Sequence, residues 1–206
     1  MVWFIIIIFI LLVLFGLFKP KLHGHIGELA VRYRLSKLDP AKYAVINNII
    51  VVNEGESSEI DHVVVSSFGV FVIETKDYSG KIYGHEKGPY WKQYLKKSEF
   101  EFRNPVRQNY GHVMALKKVL PDCPQDAFIP VVVFTGDAKL KISTPTATVI
   151  DIKDLIGTLE SYNKPILSEK EKVNIYKRLM AVADDTDKKN LRKKHIRQVR
   201  SKKSQG

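Results

Sequence analysis

The sequence predicts a mixed α/β domain, and three observations predict it. A valine- and isoleucine-rich run folds back on itself between Ile60 and Lys76. Two stretches, Ile26–Leu38 and Pro105–Leu120, carry apolar residues at helical spacing. A further strand of buried character, Ala127–Phe134, is followed by more helical sequence. Strands and helices mixed in this order build a central mixed sheet with helices packed on it.

The chain has 206 residues with 45% hydrophobic content, enough to fold around a core, so wholesale disorder is excluded. The single cysteine, Cys123, rules out an internal disulfide and argues against a thiolate zinc cage. The six histidines form no helical pair of the His-x-x-x-His kind, so no zinc site is read. The net charge of +11 is uneven. Nine Lys or Arg and no acid lie from Lys188 onward, leaving residues 1–187 at only +2.

In order along the chain, Val2–Phe18 is an uncharged apolar run. As a helix it extends about 25 Å, near the lower limit for a bilayer core, and Lys19 and Lys21 add reach by snorkelling. A cleaved signal peptide competes with an uncleaved anchor. No basic residue precedes the run, and Lys-Pro-Lys stands where small cleavage-site residues belong, which favours the anchor. The flanking lysines put the following residues in the cytoplasm. The first helix, Ile26–Leu38, is read with an inward stripe of residues 26, 29, 30, 33 and 38 and ends at Asp39-Pro40. Glu28 opens this helix near that stripe; an acid there also suits the helix dipole.

Tyr43–Val52 reads as a strand, and Glu54–Ser58 as a loop. The hairpin follows, and after Asp77–Gly80 come short strands at Lys81–Gly84, Trp91–Tyr94 and Glu99–Phe102. The helix Pro105–Leu120 has Asn104 as N-cap and Pro105 at its first position, with Gln108 and His112 one turn apart. Strand Ala127–Phe134, strand Thr146–Ile150 and helix Asp151–Glu160 complete the middle of the chain. Ser168 and Glu171 form a capping box that opens a last helix to about Ala183.

The chemistry gathers on the hairpin. If Val65 pairs with Val70 across the Ser-Ser-Phe-Gly turn, Asp61 lies opposite Glu74, and Lys76 shares their face while His62 and Thr75 point the other way. Two facing carboxylates repel, and a hard divalent cation such as Mg²⁺ turns that repulsion into a site. A lysine beside it orients water or offsets phosphate charge. The competing reading is a salt-bridged strand end in which Lys76 neutralises Glu74 and Asp61 faces solvent.

Several stretches occur in matching order: Gly27-Glu28, Ile60-Asp61-His62, the run from Phe68 to Lys76, Gly80, Trp91, and Asn104-Pro105-Val106-Arg107-Gln108. Together they resemble the nuclease-related domain (NERD) family, a branch of the PD-(D/E)xK nuclease-like superfamily. The resemblance runs from about residue 24 to about 135. It implies an αβββαβ core with a metal site at the end of the central sheet. Asp61 and Glu74 would be ligands to Mg²⁺ or Mn²⁺, and Lys76 the catalytic lysine that assists an attacking water. Glu28 would be an auxiliary acid, and Gln108 a helix-borne helper near metal or phosphate; His62 receives no role and is expected to pack. The proline that names the superfamily is absent before Asp61, where Glu59-Ile60 stands.

The expected organisation is an anchor at 2–18, a juxtamembrane linker at 19–25, a nuclease-like core at 26–135, a two-helix extension at 136–183 and a basic tail at 184–206. The expected function is a single-pass, cytoplasm-facing, metal-dependent nuclease at the cell membrane, acting on DNA. The alternative is a non-catalytic nucleic-acid-binding module held at the membrane. The Lys- and Arg-rich residues 188–206 fit either nucleic acid phosphates or anionic lipid, or form a solvated end.

Overall fold

The computed structural model describes residues 24–53 and 56–184, together with Trp3. The anchor expected at 2–18 and the tail expected at 184–206 therefore lie outside the described residues, Trp3 and Asp184 apart, and Asp184 belongs to the last helix. No helix among the described residues is long and apolar enough to cross a membrane.

The chain opens with α1 (24–35), which starts inside the stretch 19–25 read as a linker. Six strands follow: β1 (Tyr43–Asn53), β2 (Glu56–Ser66), β3 (Gly69–Lys76), β4 (Lys81–His85), β5 (Tyr90–Tyr94) and β6 (Glu99–Arg103). Then come α2 (Pro105–Val119), β7 (Phe128–Phe134), β8 (Lys139–Ser143) and β9 (Thr148–Asp151). Two helices, α3 (Leu155–Ser161) and α4 (Glu169–Asp184), close the described chain. The expected αβββαβ order is present as α1, β1 to β3, α2 and β7, with β4 to β6 inserted before α2.

The strands form two sheets. The first has five strands in the order β1-β2-β3-β7-β9, antiparallel from β1 to β3 and parallel from β3 to β9. Val65 pairs with Val70, as the turn predicts. The second has four strands in the order β6-β5-β4-β8. Its strands β4 to β6 were read singly from the sequence, and β8 was not read at all. The alternation of Lys139, Leu140, Lys141 and Ile142 marks a strand with one face in water, in a segment too short to carry a strong periodic signal.

The first sheet is covered on both faces. Val63, Val65, Val70 and Val72 pack with Val113, Leu116 and Leu120 of α2 and with Ile175 and Leu179 of α4. On the opposite face Val64, Phe71, Ile73, Val131 and Val133 meet Val31 and Leu35 of α1 and Leu155 and Leu159 of α3. The extension after residue 135 is thus part of this domain, since β9 extends the sheet and α4 covers it.

The inward face of α1 differs from the expected stripe. Leu38 is buried as expected, but Ile26, Leu29 and Tyr33 are exposed, and Val31 and Leu35 are buried instead. The face turns on Gly27, whose missing side chain makes room. A Cβ there would stand 2.7 Å from Thr135 Oγ1 and 2.8 Å from Asp77 Cβ. Close approach of α1 to the ends of β3 and β7 therefore outweighs the burial of three larger side chains.

The second sheet joins the first through an aromatic cluster. Trp91, fully buried, stacks on Phe134 of β7 at 6.3 Å and meets Phe102 edge-on. Gly80, at φ +78, turns the chain from the end of β3 into β4. Asn104 caps α2 by accepting from Val106 N at 2.9 Å. Its amide also reaches the carbonyls of His85, Glu86 and Gly88 at 3.2, 2.7 and 2.7 Å, pinning the β4–β5 loop to the start of α2.

Candidate active site

Both strand ladders lapse at Asp61. The β2–β3 ladder runs from Ser66↔Gly69 to His62↔Ile73 and stops. The β1–β2 ladder skips Asn48, which lies opposite Asp61 in register and holds a left-handed φ of 54°. Asparagine tolerates that conformation better than other side chains. With its backbone out of the ladder, Asp61 turns its carboxylate to accept Thr75 N–H at 2.7 Å. The expected Asp61–Glu74 pair is thus one step beyond the last regular pairing, and Asp61 ties the parted strands by its side chain.

Glu74 lies on the α2 face and is only 2% exposed. Its Oε1 is 2.7 Å from Lys76 Nζ, and its Oε2 accepts from His112 Nε2–H at 3.0 Å. On the other side of the ring, His112 Nδ1 is hydrogen-bonded to the Ser58 hydroxyl at 2.7 Å, which fixes the ring's orientation. Lys76 Nζ donates to Gln108 Oε1 at 3.0 Å. Gln108 and His112 share one face of α2, one turn apart, and both reach β3 there. Just beyond, the buried Asn109 donates to Val72 O and Val131 O, fastening α2 across β3 and β7 where Pro130 has no N–H to give.

The electrostatics follow from this packing. Burial pushes the Asp61 carboxyl up to about 8, and the charges of Glu74 and Glu28 add to the rise. Burial also pushes Glu74 upward, but Lys76 and His112 outweigh it and hold that carboxylate below its ordinary value. Burial works against the Lys76 ammonium, yet the Glu74 charge more than compensates and raises its pKa. Lys76 is therefore a cation at neutral pH. Glu28, half-buried on α1, acts on Asp61 through its charge, and His25 Nδ1 lies 4.0 Å from its Oε2.

His62 points to the opposite face, as its register requires. It is buried and donates Nδ1–H to Asn47 Oδ1 at 2.7 Å, and burial together with the Arg32 charge lowers its pKa to about 4. It is a neutral packing residue.

Asp61, Glu74, Lys76, Gln108 and Glu28 thus act on one another at one end of the first sheet. His112 and Ser58 complete the hydrogen-bond chain and were not singled out from sequence. The spacing of Gln108 and His112 on one helix face was the available signal for His112. Nothing local ties Ser58 to it. Among the described residues no group of three or more His, Cys, Asp or Glu side chains is arranged to hold a metal.

Comparison with known proteins fits this geometry. The model of the nuclease-related domain matches residues 23–135, which include every residue of the cluster. The chain belongs to the nuclease-related domain family. The NERD region therefore spans α1 through β7, and α3 and α4 fall after it. The chain is also 36% identical over 188 residues to an uncharacterized protein of Bacillus anthracis, covering 89% of this chain and 86% of that one. A solved structure, a protein of unknown function called AF1548, overlaps 81% of this chain and 73% of its own at 16% identity, with a TM-score of 0.34, too slight a likeness to build on.

Proposed function

We propose that this NERD protein is a metal-dependent nuclease that hydrolyses phosphodiester bonds of DNA, anchored in the cell membrane by residues 2–18 with its domain in the cytoplasm. The observation that carries the catalytic part is the buried Asp61 carboxyl at a strand end, acted on by the charges of Glu74 and Glu28, with Lys76 paired to Glu74 beside it. Burial first, and then the repulsion of Glu74 and Glu28, keep the Asp61 carboxyl protonated near neutrality, and a divalent cation relieves such a repulsion. An all-oxygen donor set of this kind fits Mg²⁺ or Mn²⁺, with Asp61 and Glu74 as the residues that would hold it. When bound, the ion supplies Lewis acidity and a nucleophilic water at neutral pH.

The chain's own residues do the rest. Thr75 N–H holds the Asp61 carboxylate, and His112, itself held by Ser58, holds Glu74. The Lys76 ammonium stands ready to offset charge that develops on a phosphate, and Gln108 fixes its direction. Because Lys76 is protonated, it serves as a positive charge and not as the proton acceptor.

The test uses the full chain in detergent with supercoiled plasmid DNA and Mg²⁺ or Mn²⁺. Glu74→Gln, which keeps the shape and a hydrogen-bonding group, and Lys76→Ala should each slow cutting by about 100-fold or more, and chelation by EDTA should stop it. Equal cutting by the wild type and both variants would sink the assignment. For the anchor, the full chain should stay with membranes after alkaline extraction, and a variant lacking residues 2–18 should not.

One observation favours a second reading, a non-catalytic nucleic-acid-binding module. Both Glu74 oxygens are already engaged, by Lys76 and by His112. On that reading the protein binds DNA equally well with and without EDTA and never cuts it.

A further inference from the structure

The outer face of the second sheet carries a pattern that the cluster at the end of β3 does not use. Its inner face, with Ile82, Trp91 and Phe102, packs against Phe134 and Val132. The outer face is set by the strand registers. One row across the sheet reads Glu99, Tyr94, Lys81 and Lys139. The next reads Glu101, Lys92, Tyr83 and Lys141, and Arg103 lies opposite Tyr90 beyond it. Every one of these residues is exposed. Tyr90 is 57% exposed, Tyr83 43% and Tyr94 37%, although tyrosine ordinarily buries most of its ring.

The charges on this face are lopsided. Lys92 is occupied by Glu99 at 2.7 Å and by Glu101 at 3.9 Å, which places both acids at the β6 side. Lys81, Lys139, Lys141 and Arg103 make no ion pair with a carboxylate among the described residues. Each row therefore runs from an acidic edge, across a tyrosine, to a lysine on β8. Neighbouring strands stand about 4.8 Å apart, so an aromatic ring and an unpaired cation lie side by side in both rows. Tyr83 and Tyr94 meet edge-to-face at 5.3 Å, and each keeps more than a third of its surface in water.

Open aromatic faces beside unpaired cations are what unpaired nucleotides need. Bases stack on the rings while lysines neutralise the adjoining phosphates, and a duplex, whose bases are already stacked, cannot use the rings. We propose that this face is a platform for single-stranded DNA. The inference rests on the reading of the chain as a protein that acts on DNA, and it names the form of DNA it holds. The chain links the platform's strands directly to the elements that carry the cluster. β3 ends in Lys76 and runs through Gly80 into β4, and β6 ends in Arg103 and runs through Asn104 into the helix that carries Gln108.

The experiment measures fluorescence anisotropy of labelled oligo(dT), of a duplex of the same length and of oligo(U), with the full chain in detergent and EDTA throughout. Every protein in the series keeps residues 188–206, so the tail's own pull on phosphate cancels in the comparison. Tyr83→Ala and Tyr90→Ala should each weaken oligo(dT) binding about 5-fold or more and leave duplex binding within about 2-fold. Tyr83→Phe and Tyr90→Phe, which keep the ring, should bind as the wild type does. The pair Lys139→Ala and Lys141→Ala should flatten the dependence of log affinity on log salt by about 1.4.

Unchanged oligo(dT) binding after both tyrosines are removed, an equal loss on the duplex, or tighter binding to oligo(U) would overturn the proposal. With EDTA present no metal-dependent cutting enters the measurement. A protein that cuts plasmid but binds oligo(dT) without its tyrosines would end the platform and leave the nuclease assignment standing. One that binds through its tyrosines but cuts with no metal would do the reverse.

Discussion

The five-stranded sheet buries both faces and ends in a knot of polar side chains, whereas the four-stranded sheet buries one face and leaves the other in water. In the first, Glu74, Lys76 and His112 are charged or polar groups taken out of solvent and paired at 2.7 to 3.0 Å. In the second, Lys92 and Glu99 make an equally short contact at 2.7 Å with both partners in solvent, where water and salt screen it. The same bond length thus means different things. Burying charge opposes folding unless every partner is present, so the polar end of the first sheet is there at the expense of stability. The outer face of the second sheet carries its charges at little cost and is free to meet a ligand.

Substitutions sharpen that comparison. Glu74→Ala leaves the Lys76 ammonium and His112 buried without their acceptor, and should lower unfolding free energy by about 3–5 kcal/mol in urea titration. A loss below about 1 kcal/mol would mean the two sheets do not differ in the way described.

The pH dependence gives the next largest effect. The folded-state pKa of Asp61 is raised from 3.8 to about 8, so its contribution is complete at low pH and is lost as pH rises through 8. The pKa of His62 is lowered from 6.5 to about 4, so its contribution is complete above 6.5 and is lost as pH falls toward 4. Between 4 and 6.5 the two slopes oppose each other. From 6.5 to 8 Asp61 acts alone, and the metal-free protein should lose about 2 kcal/mol there. Thermal melts in EDTA would show this loss. Saturating Mg²⁺ should remove most of it, and an identical loss with Mg²⁺ present would count against Asp61 as a ligand.

Gly27→Ala puts a methyl group against Thr135 and Asp77 and should cost about 1–3 kcal/mol, read by the same melts. Smallest of all, Tyr83→Ala should cost about 0.5–1.5 kcal/mol through its edge-to-face contact with Tyr94, and the exposed Lys141→Ala no more than about 0.5 kcal/mol. A larger loss would show that the outer face is covered in solution.

The hairpin was legible because its period of two and its turn together set which residues share a face. Asp61, Glu74 and Lys76 came out of that spacing, and Gln108 came out of the Asn-Pro helix start. His112 was legible only as the neighbour of Gln108 on one helix face, and Ser58 not at all, since the link between them joins β2 to α2 across 54 residues. The inward face of α1 was misread for a different reason. A hydrophobic stripe records side chains, and Gly27 governs that helix by lacking one. Three strands of the second sheet were legible singly, but not their pairing or β8, because strands of five residues with one face in water carry too little periodic signal.

Asn104 ties the two sheets' neighbourhoods together. One side-chain amide gathers three loop carbonyls, and its oxygen starts the helix that carries Gln108 and His112. The rim of the tyrosine face and the foot of that helix therefore swing on a single latch. A pull on the β4–β5 loop is a pull on the two side chains that steady Lys76 and Glu74.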